Sequence, residues 1–296
     1  MVVYVANPFY DAVFKYLMED NRIAKIILSA LLKKKVIDVK IRRNEYANLT
    51  RRESISMFRI DFAATVLDED NQLHLMLIEL QKTWLPTETL RFRRYLALQY
   101  NNEENMRKEE HGKYAIPMVA IYLLGHCVGE IEEPVIYVNH HAYNYDGKKV
   151  EAGIPDPFVE SLQHDSIIVQ IPLLHGRVNN RLEKVLCLFD QTNVADNKKV
   201  IKVDDKQFEG DNDMEYIVRR LQSAAADPDM RYQMNAEDEF FSILEEKDTL
   251  IMQLNELKEK DEMLRKMIKG MQENGMSLDE IAKMLNKTVD EVKQIL

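Results

Sequence analysis

The sequence predicts an α/β protein, with a mixed central β-sheet flanked by helices and a helical extension at the C-terminal end. Three patterns predict it. Apolar residues recur at helical spacing between Asn7 and Leu32. Two strand-like runs, Met57 to Leu67 and Leu73 to Gln81, are separated by the turn residues Asp68-Glu69-Asp70-Asn71. A helix-like stretch after Pro86 then leads into the strongly apolar run Ile116 to Leu124, which suits a strand buried on both faces and reached by a crossover helix.

In chain order, Val13, Phe14, Leu17, Ile23, Ile26, Ile27, Ala30 and Leu31 define two short helices divided near Asp20 and Asn21. Val36 to Leu49 reads as an extended segment carrying basic residues, and the hairpin follows. Pro86, Thr87 and Glu88 open a helix expected to run through Leu90, Tyr95 and Leu98 to about Lys108. Val135 to Tyr137 and Ser166 to Leu173 are further candidate strands around a loop-rich stretch, and helices dominate again after Asp213. From Ile243 an apolar residue recurs every seven positions, at Leu250, Leu257, Leu264 and Met271. The companion positions Phe240, Lys247, Leu254, Asp261 and Ile268 mix apolar with charged, so both a surface helix and a dimerising coiled coil remain open. Ser277 to Glu280 and Thr288 to Glu291 each spell a capping box, which predicts a small helix-turn-helix-like pair. Its second helix carries Asp290 and Glu291 against Lys293, a poor surface for a phosphate backbone. The expected organisation is an α/β domain over residues 1–225, a long helix over 236–270 and the helical tail over 271–296.

Composition narrows the function classes. The 296 residues are 46 % hydrophobic and 30 % charged, with only 9 Gly and 8 Pro, which excludes fibrous and disordered classes. The apolar stretch from Ala115 to Val128 contains Pro117, Gly125 and His126 and is too short to span a bilayer, so no membrane partner is expected. The N-terminal residues lack a basic start and cleavage site, and Cys127 and Cys187 form no disulfide framework, so the cytoplasm is the expected compartment. A net charge of −10 disfavours a nucleic-acid coat protein. Residues 1–60 nevertheless hold 12 Lys and Arg against 6 Asp and Glu, a local excess compatible with phosphate binding.

The hairpin carries the chemistry. With its turn centred on Asp70, Asp61 stands directly across from Glu79. Opposed residues in an antiparallel pair have Cβ atoms about 4.5–5.5 Å apart, a separation at which like charges are destabilising. Ile60, Phe62, Leu77, Ile78 and Leu80 surround them in sequence, where an unpaired carboxylate is costly. A bridging divalent cation removes the conflict, and this oxygen-donor set suits Mg²⁺, with Mn²⁺ as a substitute. The alternative is two acids on a solvated face with Arg59 as counter-charge. Strand alternation places Gln81 on the face of Glu79, and Leu80 and Lys82 on the other.

Asp61 followed by Glu79-Leu80-Gln81 resembles the PD-(D/E)XK nuclease superfamily, in the branch known as recombination-promoting nucleases or PD-(D/E)XK nuclease family transposases, where Gln commonly stands at the Lys position. Asp11-Ala-Val-Phe14-Lys15 resembles that branch's opening helix, Arg91-Phe-Arg-Arg94-Tyr95 its post-hairpin helix, Ile116 to Gly125 its next strand, and Asn274 to Ala282 its short tail. The likeness covers about Asn7 to Leu173 plus the tail. It implies a restriction-endonuclease-like core, Asp61 and Glu79 as metal ligands with the Leu80 carbonyl, and Gln81 orienting the attacking water or a phosphate oxygen. It also implies Mg²⁺-dependent hydrolysis of DNA phosphodiester bonds in a transposition or recombination setting. Asp11 is a candidate accessory acid or an ordinary helix-start residue; Lys15, Arg91 and Arg94 are candidate DNA contacts or solvated helix charges. Lys82 could replace the missing lysine only through a bulge or twist.

The competing expectation is a catalytically weak or inactive nuclease fold serving DNA binding or assembly, including a homodimer, through its C-terminal helices. His74 and Met76 are read as structural, Trp84 as packing, and His140, His141 and His164 lack partners at recognisable metal spacing.

Overall fold

In the computed structural model, the helical spacing near the start is realised as α1 (Asp11–Met18) and α2 (Asn21–Leu32), preceded by a short strand, β1 (Val2–Ala6). The structure describes residues 1–42, 58–68, 71–83, 89–109, 112–154, 156–195 and 198–295; at 58–61, 79, 89–91, 95, 109 and 244–261 it describes the backbone alone. Asp20 sets the break between the helices, because its carboxylate accepts the Arg22 and Ile23 backbone N–H groups at 2.9 and 3.2 Å. Lys33 ends α2 in the left-handed region, and the Ser29 hydroxyl accepts the Val36 N–H at 3.0 Å, turning the chain into β2 (Lys35–Arg42). The remainder of the expected segment to Leu49 lies outside the described residues.

β3 (Phe58–Leu67) and β4 (Leu73–Thr83) form the expected antiparallel hairpin. Asp68 closes it: its N–H donates to the Gln72 carbonyl at 3.0 Å and its carboxylate accepts the Gln72 N–H at 2.7 Å. The helix that follows, α3 (Thr89–Tyr100), ends before the expected Lys108. Its expected start at Pro86 lies outside the described residues. It stops before Lys108 because the Asn102 side chain accepts the Glu104 N–H at 3.0 Å and caps a single 3-10 turn. β5 (Met106–Glu109) then pairs with β6 (Gly112–Ala115).

β7 (Met118–Leu124) lies parallel to β4, so α3 is the crossover that this pairing requires. β8 (Val135–Val138), a short α4 (Pro157–Ser161) and β9 (Asp165–Gln170) follow, and the six-stranded mixed sheet has the order β2-β3-β4-β7-β9-β8. After α5 (Arg181–Leu186), β10 (Val200–Asp204) returns to pair antiparallel with β1, a two-stranded ladder joining segments with no local sequence signal for each other. α6 (Asn212–Ala226) and the start of α7 (Pro228–Glu273) complete this part of the chain.

The sheet separates two apolar layers. Phe62, Ala64, Val66, Ile78, Leu80, Ile121, Leu123, Ile167 and Val169 face α1, α2 and α6 in the main core. Ala63, Leu77, Met118, Ala120 and Tyr122 face Leu96 of α3 in a smaller one. β4 and β7 are therefore covered on both sides, as their continuous apolar character requires.

The chain divides into two compact units, Met1–Glu237 and Asp238–Leu296. The first extends past the expected boundary at 225 because Met230 and Met234 are buried in the main core. In the second, Ile268 is fully buried with Ile281, Ala282 and Val292 from α8 (Leu278–Met284) and α9 (Val289–Ile295). Both capping boxes form: the Ser277 N–H donates to Glu280 at 2.8 Å and the Thr288 N–H to Glu291 at 2.7 Å. Of the heptad positions, Ile243 is half-exposed, Leu264 and Met271 pack around Ile268, and the side chains at 250 and 257 lie outside the described residues. No helix among the described residues is long and apolar enough to cross a membrane.

Candidate active site

The sheet register aligns the candidate residues. Asp61 pairs with Glu79 across β3 and β4, the opposition derived from the turn, and the same row continues to Arg42 on β2 and to Ala120 and Ser166 on β7 and β9. Alternation assigns Asp61 and Glu79 to the α3 side of the sheet, since Phe62, Ile78 and Leu80 belong to the main core on the other side. Gln81 occupies the next position on that face, between Arg59 and Tyr122 in the register.

Gln81 is 0 % exposed, and neither its Oε1 nor its Nε2 has a hydrogen-bond partner among the described residues. A buried amide without partners is costly, about 1–3 kcal/mol. Such a group two positions beyond Glu79 marks a place where a polar ligand, a water or a phosphate oxygen, would be satisfied. Two carboxylates and a backbone carbonyl, the groups that Asp61, Glu79 and Leu80 carry, are oxygen donors of the kind that hard divalent cations take. Among the described residues no group of three or more His, Cys, Asp or Glu is arranged to hold a metal ion.

Lys82 is committed to the opposite face. Its side chain is 2 % exposed, and its ammonium lies 2.5 Å from the Asp11 carboxylate, 2.5 Å from the Phe9 carbonyl and 4.8 Å from the Phe9 ring centroid. No bulge interrupts the β3–β4 pairing at this end, so Lys82 does not turn towards Gln81. Asp11, the candidate accessory acid, is thereby placed with Lys82 across the sheet from Asp61 and Glu79.

Glu237 joins them from the start of α7. It accepts the backbone N–H groups of Asp11 and Ala12 at 2.8 and 2.9 Å, capping α1 where Tyr10 provides no side-chain cap. Burial, and then the neighbouring Asp11 carboxylate, push the Glu237 carboxyl up to about 7, against the opposing pull of Lys82. Two carboxylates sharing one ammonium out of water explain the direction.

The three candidate DNA contacts do not share a face. Lys15 is exposed on α1, 4.0 Å from Glu19, whereas Arg91 and Arg94 belong to α3 on the other side of the sheet. Arg94 is exposed; the side chain of Arg91 lies outside the described residues, as does Trp84. His74 pairs with Asp68 at 2.6 Å and clasps the hairpin turn, and Met76 packs against the main core.

Sequence spacing misses two arrangements. His140 and His164 come together, with ring centroids 6.5 Å apart; Asp165 meets His140 Nδ1 at 3.1 Å and Tyr100 meets His164 Nδ1 at 2.6 Å. Burial, with His140 nearby, lowers the His164 pKa. Arg42, directly beside Asp61 in the register, is the second; the only local signal is its place in a basic extended segment. Burial, and then Asp190, push the Cys187 thiol up to about 12, which disfavours the thiolate there.

Compared with known proteins, the chain matches no family model, no curated protein and no solved structure.

Proposed function

We propose that this chain is a Mg²⁺-dependent DNA endonuclease that hydrolyses phosphodiester bonds in transposition or recombination, and that it is a PD-(D/E)XK nuclease of the transposase-like branch. The observation that supports this reading is the opposition of Asp61 and Glu79 in the register, with the fully buried Gln81 amide, which has no partner among the described residues, next on the same face. Asp61, Glu79 and the Leu80 carbonyl would hold the ion. When bound, Mg²⁺ supplies a lowered pKa for coordinated water and charge stabilisation at the phosphate and leaving oxygen.

The rest falls to the chain. Gln81 offers one donor and one acceptor group, so its amide can orient an attacking water while bonding a phosphate oxygen. Being neutral, it does not serve as a base at ordinary pH. Lys82, held against Asp11 and Phe9, fixes the end of β4 and hence the position of Gln81 beside it. Arg91 and Arg94 on α3 would contact the DNA backbone on the same side of the sheet as the acids, and Lys15 lies too far round to join them. A cytoplasmic setting, where the chain would meet DNA, is part of this proposal.

The test is nicking and linearisation of supercoiled plasmid by the full chain in Mg²⁺ or Mn²⁺, beside Asp61→Ala and Glu79→Ala prepared identically. Cleavage by the wild type and none by either variant is the expected result. Equal inactivity of three folded proteins would favour the alternative, a nuclease fold retained for DNA binding or assembly.

A further inference from the structure

Arg42 has the position, the anchoring and the residual charge of a substrate ligand. It is paired with Asp61 at the edge of the sheet, one strand from the acid pair. Val39 and Ile41 on the same strand belong to the main core, so Arg42 falls on the α3 face that also carries Asp61, Glu79 and Gln81. Its own contacts agree, because the guanidinium donates to the side chains of Asn105 and Glu104 immediately after α3.

These two partners differ in kind. Asn105 is 4 % exposed, and its amide nitrogen is fixed by the Gln99 backbone and side-chain oxygens at 2.8 and 2.7 Å. A buried amide oxygen so held steers one edge of the guanidinium without neutralising it. Glu104, at 3.3 Å, has a side chain 75 % exposed, and an ion pair at such a surface contributes little. A guanidinium has five N–H donors and matches phosphate oxygens in pairs, so this one retains donors and charge for an anion that displaces Glu104.

We propose that Arg42 is a substrate-binding residue of the candidate site, holding a non-bridging oxygen of the nucleic-acid backbone beside Asp61 and Glu79. This rests on the nuclease reading above. A metal ion offsets the two acids; the incoming phosphodiester brings further negative charge, and Arg42 supplies a fixed cation for it on the same row. Asn105 and Gln99 are the positioning residues that hold one edge of the guanidinium in place.

Binding of a short duplex DNA by the full chain in Ca²⁺, followed by fluorescence anisotropy across a salt series, tests the assignment. Arg42→Gln should weaken binding about tenfold at low salt and reduce the slope of log K against log salt by about one. Arg42→Lys should keep most of that slope with part of the affinity lost, and Glu104→Gln should tighten binding. Unchanged affinity and slope in both Arg42 variants would overturn the assignment, while loss of plasmid cleavage in Asp61→Ala would leave the nuclease reading standing. Absence of DNA binding by the folded wild type would instead overturn that reading and the role of Arg42 with it. If Arg42→Gln does not fold, Arg42→Lys and Glu104→Gln decide the matter, since neither removes the anchor and both change how the substrate is met.

Discussion

Glu237→Gln should change how stability depends on pH in a calculable way. The Glu237 carboxyl, whose ordinary value is 4.5, stands at about 7 in the folded chain. Below pH 4.5 it is protonated whether the chain is folded or unfolded, and it adds no pH dependence. Between 4.5 and about 7 the unfolded chain releases the proton and the folded chain keeps it, so stability falls as pH rises. Each pKa unit is worth about 1.4 kcal/mol, which makes the full loss about 3 kcal/mol by pH 8. The Gln side chain does not titrate and loses one of the two acceptors for the Asp11 and Ala12 N–H groups, a constant cost of about 1 kcal/mol. The variant should therefore nearly match the wild type at pH 5 and exceed its stability by about 2 kcal/mol at pH 8. Urea denaturation of both proteins at pH 5, 6, 7 and 8 measures the difference, in which carboxyls common to both cancel. Two profiles separated by the same amount at every pH would refute the raised Glu237 carboxyl.

Gln81→Met keeps the shape of the side chain and removes two buried polar atoms that lack partners among the described residues. It should raise stability by about 1–2 kcal/mol while abolishing metal-dependent cleavage, an opposition that thermal melts and plasmid nicking read separately. Asp20→Ala removes the cap of α2 together with the bond from the Tyr216 hydroxyl at 2.8 Å. It should cost about 2–3 kcal/mol at pH 7 in chemical denaturation. Although burial pushes the Asp20 carboxyl up, the Tyr216 hydroxyl, the Ile23 and Arg22 N–H groups and Arg220 outweigh it and hold the pKa below its usual value. Its stabilisation is thus present at neutral pH and lost as pH falls through the acid range, so the variant should show a smaller loss on acidification.

Much of the fold near the site was legible because its signals are local. The period of two in β3 and β4, together with a short turn held by Asp68, fixes which residues oppose each other, and the Asp61–Glu79 pairing follows from counting outward from Asp70. Asp20, Ser277 and Thr288 announce helix starts because a cap acts on the backbone within three residues of itself. The end of α3 was misplaced for the converse reason: residues 101–108 hold no Gly or Pro to stop a helix, and the Asn102 cap and the β5–β6 hairpin end it instead. The reading of the long C-terminal helix as a repeating seam missed that Ile268, a companion position, is the buried centre of the small core with Ile281 and Val292.

By itself, then, the sequence determined the class of the fold, the hairpin register and the face on which Asp61, Glu79 and Gln81 stand, since each depends on backbone periodicity over a few residues. Only the tertiary structure decided the partners drawn from far along the chain. β10 supplies the partner of β1, Glu237 supplies the cap of α1 beside Lys82 and Asp11, and the β2–β3 pairing brings Arg42 beside Asp61. No local pattern encodes such pairings; they follow from how the layers close over a common core, where a buried charge takes the partner that packing delivers to it.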